Sequence, residues 1–156
     1  MNETILAIGA LIVSIASITI SYFAARSTEL RSRMPVLVFI YSRHSGWMLR
    51  NVGNGPALNV IVARKRVKGD WFDPRRISPL GRDHQLVLEW IGHDNEYGLG
   101  ATYSDFLEGE DQRRGRYTVT CGNDLNRVRR GSHLPTWNES DIEAYWPSEG
   151  PTPIGS

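Results

Sequence analysis

Residues 5–25 read "ILAIGALIVSIASITISYFAA", a run with no charge and no proline. About 20 apolar residues rising roughly 1.5 Å each suffice to cross a hydrocarbon core of about 30 Å. Ten positions in the run are Ile, Leu, Val or Phe. Each favours insertion by roughly 0.3–0.6 kcal/mol, against a small cost for Ser14, Ser17, Thr19 and Ser21. The run predicts one transmembrane helix within residues 1–25. A cleaved signal peptide is the rival reading, with "FAA" as a weak cleavage site. It needs a basic leading segment and a shorter apolar core, whereas the run is long and "MNET" has no Lys or Arg. The flanks give an orientation. Only Glu3 precedes the run, while Arg26, Arg31 and Arg33 follow it against Glu29. Lys and Arg stay on the cytoplasmic side, so the N-terminus is expected outside and residues 26–156 inside. The lone Cys121 agrees, since no intramolecular disulfide can form.

The same run holds a second pattern. Ala7, Ala10, Ser14, Ser17, Ser21 and Ala24 recur at spacings 3-4-3-4-3, a heptad seam of small residues. Small seams let helix backbones approach in lipid, and hydroxyls can bond across the contact. The seam predicts a homo-oligomer assembled through the helix.

Residues 26–35 read as a juxtamembrane linker that Pro35 closes. The period then changes from helical to strand-like. "VLVFIYS" (36–42), "GWMLRNV" (46–52), "ALNVIVARKRV" (57–67), "HQLVLEWI" (84–91), "LGATYSDF" (99–106) and "RYTVTC" (116–121) are runs rich in β-branched and aromatic residues, punctuated by Gly, Pro and Asn. Strands at this spacing indicate an all-β sandwich or barrel. "NESDIEAYW" reads as a short C-terminal helix with Asn138 as N-cap, acids in its first turn and Pro147 as its stop. Trp137, Ile142, Tyr145 and Trp146 are expected to pin it. The β-sandwich is thus placed at 36–147 and a disordered tail at 148–156.

"RNVGNGPALNV" (50–60) is the most patterned stretch outside the apolar run. Asn54-Gly55 is a strong turn dipeptide, and Gly53 also tolerates positive φ. Pro56 fixes φ, lacks an N–H and suits the start of a strand. Asn51, Gly53, Asn54, Gly55 and Pro56 therefore predict a structural turn between two antiparallel strands. A phosphate-binding loop would need a helix and a Lys-Ser or Lys-Thr pair after it, and a strand follows instead.

The pattern Asn-x-Gly-x-Gly-Pro-Ala, read here as Asn51 to Ala57, resembles the corner between early strands of bacterial immunoglobulin-like sandwiches. With the N-terminal helix and the later "YSDFLEGEDQRRGRY" (Tyr103–Tyr117), it is similar to small bacterial single-pass membrane proteins of uncharacterised function. The hairpin departs from their pattern by an enlarged turn. The resemblance implies an immunoglobulin-like sandwich anchored in the bacterial inner membrane, and no catalytic residue.

The search for chemistry is brief. His44, His84, His93 and His133 form no zinc-ligand spacing with one another or with Cys121. His93, Asp94 and Glu96 read as a polar turn, which collects such residues for backbone reasons. Cys121 lies on the apolar face of its strand, where thiols are inert packing. No catalytic residue, metal or cofactor is expected. All 18 basic residues lie between Arg26 and Arg130, among them Arg64, Lys65, Arg66 and Lys68, the pair Arg75-Arg76, and Arg127, Arg129 and Arg130. No nucleic-acid motif interleaves them with aromatics, so a lipid headgroup is preferred to nucleic acid. The expectation is a membrane-anchored, non-enzymatic β-sandwich interaction module at the inner face, binding a protein partner and self-associating through its helix. The alternative is an oligomeric, pore-like membrane-perturbing effector governed by the cytoplasmic domain.

Overall fold

The computed structural model describes residues 13–25, 28, 33–93, 98–105, 115–122 and 125–155. The chain divides into two compact units, Met1–Arg33 and Met34–Ser156.

In the first unit, residues 13–25 are helical and every one is exposed. Its hydroxyls turn back onto the helix. Ser17 Oγ donates to the Val13 carbonyl at 2.9 Å, Thr19 Oγ1 lies 2.9 Å from both the Ile15 and Ala16 carbonyls, and Thr28 Oγ1 donates to Ala24 at 2.9 Å. Thirteen residues at about 1.5 Å span roughly 20 Å, short of a hydrocarbon core of about 30 Å. Among the described residues no helix is long and apolar enough to cross a membrane. This corrects the expected single-pass anchor and the inner-membrane placement drawn from it. That expectation weighed the uncharged run 5–25 as one element, whereas the described helix covers only its more hydroxyl-rich part. Ser14, Ser17, Ser21 and Ala24 lie on this helix, and Ala7 and Ala10 fall outside the described residues.

The second unit holds ten strands in two sheets. One sheet has the order β1 (Leu37–Ser42), β2 (Gly46–Asn51), β5 (His84–Val87), β10 (Thr152–Pro153). The other runs β8 (Leu125–Arg130), β7 (Arg116–Gly122), β6 (Gly98–Ser104), β3 (Leu58–Lys65), β4 (Trp71–Arg76), β9 (Glu143–Ala144). All neighbours are antiparallel except β4 and β9. Strand alternation sends every second side chain inward. Leu37, Phe39, Leu49 and Leu86 from the first sheet meet Val60, Val62, Leu99, Ala101 and Val119 from the second in one buried cluster.

Two irregularities adjust β3. Its pairing with β6 shifts between Leu58 and Ile61, where Asn59 adopts φ 50°. Its pairing with β4 shifts between Val62 and Arg64, opposite Asp73 at φ 52° and Pro74. A bulge suits both residues of β4, since Asp tolerates the left-handed region and Pro cannot donate to a ladder.

The corner at 51–56 joins β2 to β3, which belong to different sheets. It therefore carries the chain across the core rather than closing a hairpin between paired strands. Asn51 is fully buried at its centre. Its Oδ1 accepts from the Val36 and Gly53 amides at 3.3 and 3.0 Å. Its Nδ2 donates to the Gly55, Leu80 and Gly81 carbonyls at 2.8, 3.0 and 3.1 Å. The Asn54 amide donates to Met34 at 3.0 Å. At Gly53 a Cβ would lie 2.3 Å from the Val36 nitrogen and 2.5 Å from the Met34 oxygen, so only glycine fits there.

The expected C-terminal helix is a single 3-10 turn, Glu139–Asp141. Asn138 makes no side-chain cap bond to it. The chain instead lays β9 against β4, fixed by Arg76 to Glu139 at 2.8 Å and by the Tyr145 amide donating to Arg76. Tyr145 packs on Trp90 with ring centroids 4.2 Å apart, while Trp146 stays 80% exposed. Residues 148–155, read from sequence as a tail, include β10, which pairs with β5. The fold class is thus a two-sheet β-structure with a short N-terminal helix, not an immunoglobulin-like sandwich flanked by a membrane helix and a C-terminal α-helix.

Candidate functional site

The six-stranded sheet has an outer face turned away from the core. Register fixes which residues share it. Thr120 of β7 stands opposite Gly100 of β6 and Arg127 of β8. Gly100 stands opposite Ala63 of β3. One row along, Lys65 faces Gly98 and Gly122 faces Leu125, and in the other direction Thr118 faces Arg129. Gly98 and Gly122 leave part of the floor without side chains, while the Trp71 ring and Leu134 lie over Gly100. Banks of long side chains rise on either side of the floor.

The result is a groove of about 490 Å³, within the range of ligand sites. One bank carries Leu125, Arg127 and Arg129, and the other carries Lys65 and Trp71. His133 and Thr120 also line it. Gly100 is required by this packing, because a Cβ there would lie 2.7 Å from the Trp71 ring and 2.9 Å from Leu134 Cδ2. The segment after β8 is tied down locally. The His133 amide donates to Thr118 Oγ1 at 3.0 Å, and that hydroxyl donates to the Gly131 carbonyl at 2.7 Å. His133 Nε2 lies 3.1 Å from the Arg130 carbonyl, which can only accept, so Nε2 carries the proton.

Among the described residues the groove is lined by charge of one sign. No Asp or Glu lines it among the described residues. Other arginines are neutralised close by. Arg64 and Arg75 pair with Asp73, Arg75 with Glu143, Arg76 with Glu139, and Arg82 with Asp83. The Arg76–Glu139 contact raises the guanidinium's pKa and lowers the carboxyl's, in each case chiefly through their hydrogen bond. Lys65, Arg127 and Arg129 enter no such pair among the described residues. Lys65 Nζ instead lies 5.6 Å from the Trp71 ring centroid, a cation–π contact.

A second polar cluster lies where β6 and β7 meet. Tyr103 and Tyr117 stack at 5.6 Å. Tyr103 Oη accepts from the Leu37 amide at 3.3 Å, and Tyr117 Oη donates to Asp105 at 3.1 Å. Burial pushes both phenols up to about 12. Both are therefore held protonated, as hydrogen-bonding links between strands rather than as bases. The pairing of Tyr103 with Tyr117 fixes the register of the hairpin, whose turn lies outside the described residues.

The histidines stay apart. His93 Nδ1 meets Tyr41 Oη at 3.1 Å, and His84 Nδ1 lies 2.7 Å from the Arg82 carbonyl. Asp94 and Glu96 are outside the described residues. Among the described residues no three His, Cys, Asp or Glu side chains could hold a metal ion. The residues of the turn, Asn51, Gly53, Asn54, Gly55 and Pro56, sit at the crossing between sheets and do not line the groove. Comparison with known proteins finds no matching family model and no similar curated protein or solved structure.

Sequence reading singled out Arg127 and Arg129 only as part of a charge group, and it missed Trp71, Thr120 and His133. A signal was present. "TVTCGNDLNRVRR" alternates Thr118 and Thr120 with Val119 and Cys121, then repeats arginines two apart. That is a hairpin with one polar face.

Proposed function

We propose that this protein is a non-enzymatic binding module that engages another protein in the groove on its six-stranded sheet. The observation that carries this reading is the grouping of Lys65, Arg127 and Arg129 around a floor of Gly98, Thr120 and Gly122 with no carboxylate lining it among the described residues. Uncompensated charge of one sign attracts and orients an oppositely charged partner. Among the described residues nothing in the groove pairs a nucleophile with a base, and Cys121 turns its side chain to the core.

A protein is favoured over single-stranded nucleic acid because Trp71, the ring that lines the groove among the described residues, and the nearby Phe72 and Trp90 are already engaged. Phe72 lies under Arg64 and Arg66 at 5.4 and 4.6 Å, Trp90 meets Arg75 at 5.4 Å and Tyr145 at 4.2 Å, and Trp71 rests on Gly100 beside Lys65. Strand-binding proteins keep such rings open for bases.

The test is photo-crosslinking in the cells that make the protein. A photoreactive residue replaces Leu125 at the groove or Val52 at the crossing between the sheets, both well exposed. Adducts with a defined protein from position 125 alone support the reading. Equal adducts from both positions, or none from position 125, overturn it.

A further inference from the structure

We infer that the groove takes an extended acidic segment with carboxylates at alternate positions. This rests on the reading of the groove as a protein-binding site and specifies the partner's chemistry.

The groove lies between β8 on one side and Lys65 and the Trp71 ring on the other. β8 and β3 are separated by β7 and β6, but the Trp71 ring reaches over Gly100 of β6, so the open floor spans about two strand spacings, roughly 10 Å. Gly98, Thr120 and Gly122 form the floor between them. That width admits one extended chain with side chains reaching to both sides, but not a helix of about 10–12 Å diameter as well as the long side chains of the banks.

An extended chain lying flat in this trough sends alternate side chains to opposite banks. Arg127 and Arg129 are two residues apart on one face of β8, so their backbones repeat at about 6.8 Å. The occupant's residues i and i+2 repeat at the same distance. A carboxylate at each position meets one guanidinium, whose fork matches carboxylate geometry. Residue i+1 then faces Lys65 and Trp71. An apolar side chain suits the indole, with Lys65 close enough to contact a further acid.

Charge also selects against a second copy of this chain as the occupant. The exposed strand nearest the groove is β8 itself, "LNRVRR", which carries three arginines. Placing it in another molecule's groove sets like charges against each other.

The experiment uses the full chain and two fluorescein-labelled peptides of identical composition. One contains Glu-Leu-Glu-Leu-Glu and the other Glu-Glu-Leu-Leu-Glu, which has no two glutamates at i and i+2. Binding is followed by anisotropy at low and at physiological salt. The alternating peptide is expected to bind at least about fivefold more tightly, as one well-placed charged hydrogen bond provides. Arg127→Ser and Arg129→Ser are each expected to weaken it about tenfold, and Arg82→Ser, at an ion pair elsewhere, to leave it unchanged. Both groove arginines are exposed, so circular dichroism should show the variants folded. Equal affinity for the two peptides overturns the inference. So does binding indifferent to Arg129→Ser, or inorganic phosphate or an oligonucleotide displacing the peptide at lower concentration than free glutamate-rich peptide does. If position 125 crosslinks to a protein while the peptides bind alike, the module reading stands and this one falls. If the alternating peptide binds while no protein crosslinks, the module reading falls.

Discussion

The side-chain amide of Asn126 pairs with the backbone of Phe39 as a neighbouring strand would. Its Oδ1 accepts from the Phe39 amide at 2.8 Å, and its Nδ2 donates to the Phe39 carbonyl at 2.8 Å. β1 is an outer strand of its sheet, and an open edge invites pairing with other chains. Here one residue of β8 closes part of that edge, and Tyr103 Oη closes the Leu37 amide next to it. Asn126→Ala leaves both Phe39 groups without these partners. It is expected to cost about 1–2 kcal/mol and to raise the tendency to aggregate. Asn126→Asp keeps only the acceptor and should fall between. Urea unfolding with light scattering measures both effects. A variant as stable and as monodisperse as the parent would show that water replaces the amide without loss.

Asn51 makes a stronger prediction because it is fully buried and uses both ends of its amide. Asn51→Asp turns two donors into acceptors facing the Gly55, Leu80 and Gly81 carbonyls. Unsatisfied buried groups and an unpaired charge are among the costliest changes. The expected loss is about 3 kcal/mol or more, larger than for Asn51→Ala. Thermal unfolding of the two variants gives the order, and a milder aspartate would contradict the amide's role in tying the corner.

How much of this was legible in the sequence depends on which force decided each element. The core strands were legible because burial writes a period into the residues, as in Tyr117, Val119 and Cys121 of β7. β4 was not, because "WFDPRR" holds a proline and an Asp at positive φ and survives through a bulge set by β3. β8 was not, because "LNRVRR" is exposed throughout and is a strand only through pairing with β7. The short C-terminal helix was expected from local propensity, and docking onto β4 overrode it. The length and hydropathy of the apolar run predict a membrane anchor that the described helix is too short to make. The groove draws on five strands, so no single stretch of sequence displays it.

Gly100 links the fold to the groove. Its missing side chain is filled by the Trp71 ring and Leu134. Gly100→Ala places a methyl 2.7 Å from that ring. The indole must shift, at about 1–3 kcal/mol as for other overpacking. Tryptophan fluorescence should change while far-ultraviolet circular dichroism does not, and peptide affinity should fall. An unshifted spectrum with full binding would mean the indole moves freely and takes no part in the bank.

The stacked tyrosines predict an alkaline limit. Burial pushes Tyr103 up to about 12, opposed by the Leu37 amide that favours its phenolate. Burial pushes Tyr117 up to about 12 as well, reinforced by Asp105. The unfolded phenol titrates near 10. A group whose folded pKa is raised stabilises the fold fully below its unfolded pKa and loses that contribution as pH rises through the folded one. Stability should therefore be flat with respect to these groups up to about pH 10 and fall between about 10 and 12. For the fully buried Tyr103 the loss is on the order of 2 kcal/mol. Phenolate absorbance should show Tyr103 and Tyr117 ionising late and together with unfolding. Asp105→Asn removes the acid that reinforces Tyr117, so that phenol should titrate earlier while Tyr103, which Tyr117 pushes up, should not. Should both phenols instead ionise near pH 10 with the fold intact, the stacked pair is open to water and does not latch β6 to β7.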